Sequence, residues 1–104
     1  MTTKKKSSYS DELKKKYGRV GFGRFLVAWR TSEEMSQAQF ARKLGLSSAN
    51  LCDLEQGRRI PSPARARSIA KKLGLPEKGV VAIAIEDALA KEGMKYSVEL
   101  NEAA

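Results

Sequence analysis

The sequence predicts an all-α fold of five helices, with a disordered basic arm ahead of them and a short β-strand behind them. Three observations carry that expectation. Apolar residues recur at helical spacing in five segments between Phe22 and Glu92, the last four each closed by a glycine. Serines stand where three of those helices would need an N-cap. After Gly93 the period changes from helical to alternating.

The N-terminal stretch MTTKKKSSY is short, polar and lysine-rich, so residues 1–9 read as disordered. Ser10 can cap a short helix over Asp11–Tyr17 that breaks at Gly18. Helix 1 is expected over about Phe22–Thr31, with Phe22, Phe25, Leu26 and Trp29 on its apolar stripe. Trp29 belongs to the core on this reading, because that stripe must pack on the other helices.

Ser36 begins helix 2, and Gln39 three residues later completes an S-x-x-Q capping box. Phe40, Ala41 and Leu44 share one face, and Gly45 stops the helix where a left-handed residue costs least. Leu46 plugs the corner. Ser47 caps helix 3, expected over Ser48–Gln56 with Leu51 and Leu54 turned inward. Gly57 ends it and Pro61 prevents an early restart. Two short helices joined by a glycine turn in this way form a helix-turn-helix, whose second helix enters the major groove of duplex DNA.

Ser62 with Pro63 at the first helical position starts helix 4. Ile69, Ala70 and Leu73 face inward and Gly74 stops it. Helix 5 runs from about Pro76 to Glu92 and is apolar around most of its circumference. Val81, Ile85, Ala88 and Leu89 make one face, and Val80, Ile83 and Ala84 extend it. Such a helix wants burial on more than one side. One side is assigned to its own core, and the other to a partner through Val80, Ile83 and Ala84. Met94, Tyr96, Val98 and Leu100 then alternate with polar residues as a half-buried strand would. A lone strand needs a mate, so these four residues are also assigned to a dimer or partner interface.

Charge agrees with a nucleic-acid partner. The chain carries a net charge of +8 over 104 residues. Residues 1–24 hold eight lysines and arginines against two acids, residues 25–76 nine against four, and residues 77–104 three against six. The basic part coincides with the arm and the motif, which suits phosphate contact and steering.

Other classes are disfavoured. There is no histidine and one cysteine, Cys52, so neither a zinc site nor histidine-assisted catalysis has its usual residues. Cys52 reads as a small, semi-buried spacer. GRVGFGRF, Gly18 to Phe25, lacks the dinucleotide fingerprint, and there is no phosphate-cradling loop. No enzyme activity, cofactor or metal is expected. No run of 18 apolar residues suggests a membrane span, and the charged start lacks the apolar stretch of a secretory signal. A cytoplasmic, reducing location is expected.

The motif residues also carry a family likeness. Residues 22–75 resemble the phage Cro/repressor-type, lambda-repressor-like helix-turn-helix domain of the XRE-like bacterial regulators. The matching residues are Arg30 and Gln37, then Ala41, Gly45 and Leu51, then Leu54, Glu55, Gly57 and Arg59, then Pro61 and Ser62, and the closing Lys71–Leu75. The resemblance implies a phosphate contact from Gln37 and base contacts from Ser48, Ala49 and Asp53, with Asn50 nearby. It implies further backbone contacts from Gln56, Arg58 and Arg59, and a double role for Ser47 as cap and phosphate ligand. Arg30 and Glu55 match an internal salt bridge. Ser48 and Ala49 offer little directional chemistry, so direct readout by helix 3 is expected to be modest, with Asp53 accepting from cytosine and Asn50 reading adenine.

The chain therefore divides into a basic arm with a short helix (residues 1–21), a DNA-binding domain (22–75) and a C-terminal helix and strand for dimerisation or partner binding (76–104). The expected function is a transcriptional repressor acting on a palindromic operator as a homodimer. The alternative is an antitoxin whose C-terminal segment grips a toxin while the motif autoregulates the operon.

Overall fold

A computed structural model describes residues 20–103. Five helices follow in order: α1 (Phe22–Ser32), α2 (Gln37–Leu44), α3 (Ser48–Glu55), α4 (Pro63–Leu73) and α5 (Glu77–Lys91). The arm expected to be disordered over residues 1–9, and the helix expected over Asp11–Tyr17, lie outside the described residues.

The local signals act as the sequence implies. Ser36 Oγ accepts from the Gln39 N–H at 3.1 Å, and Gln39 Oε1 accepts from the Ser36 N–H at 2.8 Å, closing a reciprocal capping box. Ser47 and Ser62 cap α3 and α4 through the N–H groups of Asn50 and Arg65. Gly45 adopts φ 72° at the end of α2. The Leu46 N–H donates to Ala41 O and the Gly45 N–H to Arg42 O, which satisfies two terminal carbonyls. Lys72 of α4 adds a third contact at this corner, its Nζ donating to Leu44 O at 3.0 Å.

One core joins all five helices. Phe22, Phe25 and Leu26 of α1 meet Phe40, Ala41 and Leu44 of α2, Leu51 and Leu54 of α3, and Ala66, Ile69 and Ala70 of α4. Trp29 packs against this core as expected, stacked on Phe40 with ring centroids 5.5 Å apart. Gly23 permits a close helix approach. A Cβ there would lie 2.5 Å from Glu55 O and 2.6 Å from Leu54 O, so α1 can cross the end of α3 only where a side chain is missing.

The C-terminal segment corrects two expectations. Val80, Ile83 and Ala84 lie inside the monomer core, packed with α4, and do not form a partner surface. The partly exposed side of α5 is instead Val81, Ala82, Ile85, Ala88 and Leu89. Apolarity around most of the helix left the choice of inward face to tertiary packing. The strand expected over Met94–Leu100 is absent among the described residues. The chain turns at Gly93 and comes back to α5, where the Val98 N–H donates to Glu86 Oε2 at 2.8 Å. Val98 and Leu100 are half-buried, whereas Met94 is exposed and Tyr96 is 63% exposed. The alternation is thus partly real, but a helix carboxylate receives the backbone where a second strand was expected.

Two adjacent acids on α5 perform this closure. Asp87 Oδ2 accepts from the Phe22 N–H at 2.8 Å and so caps α1, whose own N-cap residue, Gly21, offers no side chain. Glu86, 2% exposed, holds the tail. No helix among the described residues is long and apolar enough to cross a membrane.

Candidate nucleic-acid interface

The interface is built around the exposed start of α3. Ser48 and Ala49 stand fully at the surface, immediately after the Ser47 cap. The Ser47 hydroxyl oxygen accepts from Asn50, which leaves its proton available for an outside acceptor. One helical turn on, Cys52 and Asp53 are half-buried, and Gln56 is exposed at the end. At helical spacing, Ser48, Ala49, Cys52, Asp53 and Gln56 share the outer side of α3.

Asn50 does not belong to that side. It lines a small cleft of about 170 Å³ with Leu54, Arg59, Ile60, Pro61, Ser62 and Arg65, between α3 and the start of α4. Arg65 was not singled out by the sequence. Its signal was the run PSPAR, which sets a cation in the first turn of a helix with no acid to balance it. Arg59 and Arg65 give the cleft a positive lining, and the start of α4 adds the favourable end of a helix dipole.

The interior pair beneath this surface is as expected. Arg30 Nε donates to Glu55 Oε2 at 2.8 Å and Nη2 donates to Oε1 at 3.1 Å, a bidentate pair. The Glu55 side chain is 2% exposed and that of Arg30 19%. The hydrogen bond to Glu55 raises the Arg30 pKa above its ordinary value, outweighing desolvation. Arg30 Nη1 also donates to Met35 O at 3.2 Å, fixing the loop between α1 and α2.

Gln37 joins the same group. Its Nε2 donates to Glu55 Oε1 at 2.9 Å, which anchors the side chain at the first turn of α2. An amide nitrogen has two hydrogens, so one remains for a phosphate. Glu55 therefore links α1, α2 and α3 through one buried carboxylate, a convergence that the sequence showed only as the Arg30–Glu55 half.

Asp53 and Arg58, expected to contact DNA separately, contact each other. Arg58 Nε donates to Asp53 Oδ1 at 2.9 Å, and Arg58 Nη2 lies 3.5 Å from Cys52 Sγ. Hydrogen bonding to Asp53, then to Cys52, raises the pKa of Arg58. The backbone N–H groups of Arg58 and Arg59 both donate to Asp53 O and close the end of α3. Spacing alone could not show this pair, because it depends on the path taken after Gly57.

Residues 22–81 match the family described as Helix-turn-helix domain. No curated protein and no solved structure matches the chain.

Proposed function

The chain belongs to the helix-turn-helix domain family, and from that premise we propose that it is a transcriptional repressor of the phage Cro/repressor (XRE-like) kind. In this reading a homodimer binds a palindromic operator, α3 lies in the major groove, and the protein acts by occlusion without catalysis or cofactor. The observation that carries the proposal is the exposed start of α3, Ser47–Ala49, on a helix whose far end holds Gln37 through Glu55 and is followed by Arg58 and Arg59. A bare helix start on a helix accompanied by several donors suits a duplex, where base edges lie in the groove and phosphates border it. Gln37, Ser47, Arg58, Arg59 and Arg65 take the backbone contacts in this account. Ser48, Ala49 and Gln56 face base edges and supply only modest readout.

Two recognition helices must sit about 34 Å apart on a palindrome. The partly exposed Val81, Ile85, Ala88 and Leu89 of α5, continued by Met94 and Tyr96, are the apolar surface assigned to that dimer. Footprinting on the DNA upstream of its own gene tests the reading. Replacing both Arg58 and Arg59 with alanine should weaken duplex binding and flatten the salt dependence on the operator by about 0.9 per lost phosphate contact. Unchanged affinity at moderate salt would place the docking face elsewhere.

The exposed Met94 and Tyr96 also favour a second reading, in which the same surface grips a toxin. Sedimentation of the purified chain separates the two. A dimer at micromolar concentration supports the repressor, and a persistent monomer supports a different partner for that surface.

A further inference from the structure

Arg58 and Arg59 are adjacent cations in one turn, yet their surroundings differ. Among the described residues Arg59 forms no ion pair, and it lies along the cleft beside Asn50 and Arg65. Arg58 is tied down. Its Nε reaches Asp53 Oδ1 at 2.9 Å, its Nη2 reaches Cys52 Sγ at 3.5 Å, and its own N–H donates to Asp53 O at 2.9 Å. These contacts fold the guanidinium back over the last turn of α3.

A carboxylate and a phosphate diester are the same kind of acceptor for guanidinium. We infer that Asp53 is an internal substitute for DNA phosphate at Arg58, and that it sets specificity by damping sequence-independent grip and not by reading a base. The inference rests on the DNA-binding reading above. An exposed pair of this kind is weak and exchangeable; the Arg58 side chain is 58% exposed. A randomly docked duplex presents phosphates in no fixed place, and these compete poorly with a carboxylate already in contact. A duplex docked in register presents one fixed acceptor and can draw Arg58 away. Non-specific affinity comes almost entirely from phosphate neutralisation, so it bears the larger proportional loss.

The test is Asp53→Asn, which keeps the side-chain shape and the backbone carbonyl that receives Arg58 and Arg59. Affinity for a random-sequence duplex is measured by fluorescence anisotropy across a salt series, with circular dichroism to check folding. The variant should bind about threefold to tenfold more tightly at moderate salt, and its log–log salt slope should steepen by about 0.9, the value for one added phosphate contact. Mere loss of a negative charge would give a gain on any background. The substitution is therefore repeated with Arg58→Gln and with Arg59→Gln. The gain should vanish on the first and persist on the second. No gain from Asp53→Asn, or equal gains on both backgrounds, overturns the inference while leaving the DNA-binding reading intact. A parent protein that binds no duplex at low salt overturns both.

Discussion

The helix-turn-helix and the C-terminal helix with its tail are held together by different kinds of contact. In residues 36–59 the capping bonds run between residues three apart, and the corner is closed by Gly45 and Leu46. One buried carboxylate, Glu55, then ties the motif to α1. In residues 77–103 the decisive contacts are long-range. Asp87 caps a helix that begins 65 residues earlier, and Glu86 holds the backbone of the returning tail. The motif specifies its own shape, whereas α5 is a clasp that fastens the start of α1 and the end of the chain. A DNA-reading surface benefits from that division, because the local bonds fix the start of α3 without help from α5 or the tail.

The comparison can be broken most forcefully at Glu55. Glu55→Ala should cost roughly 3–5 kcal/mol, because Arg30 is left with a largely buried charge and Gln37 loses its anchor. Chemical denaturation measures this directly. A loss under about 1 kcal/mol, the range of an exposed pair, would show that the motif does not depend on the pair. Gly23→Ala comes next, at about 2–3 kcal/mol. The added carbon meets the backbone oxygens of Leu54 and Glu55, which cannot rotate away as a side chain could.

These two sites also show what a sequence can and cannot disclose. Ser36, Gln39, Gly45, Ser47, Ser62 and Pro63 act on neighbours a few residues away, so their spacing was sufficient to place α2, α3 and the start of α4. The Arg30–Glu55 pair was legible only through a family likeness, since 25 residues separate its members. The inward face of α5 differs from the expected one because Val80 and Val81, or Ile83 and Ile85, are chemically equivalent until a neighbour is present. Nothing local in the sequence marks Glu86 and Asp87 as partners of Val98 and Phe22. At the interface, the family likeness put Ser48 and Ala49 at the outer start of helix 3, and both are exposed. The engagement of Asp53 with Arg58 and the turning of Asn50 into the cleft were not legible in this way.

The clasp is probed by Asp87→Ala. Loss of the long-range cap should cost about 1–2 kcal/mol and speed hydrogen exchange at the start of α1, while the amides of α2 and α3 keep their protection. Equal loss of protection in α2 would mean that the two regions are not separable. The smallest effect has the opposite sign. Glu34 adopts φ 55° in the loop before α2, a conformation that costs a residue with a side chain. Glu34→Gly should therefore stabilise the protein by about 0.5 kcal/mol, visible as a small rise in melting temperature.

The central claim is that the outer side of α3, accompanied by Gln37 and the two arginines, is the surface that meets DNA. An NMR titration of the labelled protein with duplex from upstream of its own gene tests it most directly. Amide and side-chain shifts should concentrate on Gln37, Ser47, Ser48, Ala49 and Gln56 through Arg59, and leave Val81, Ile85 and Leu89 unmoved. Shifts confined to α5 and the tail, or none at low salt, would contradict it.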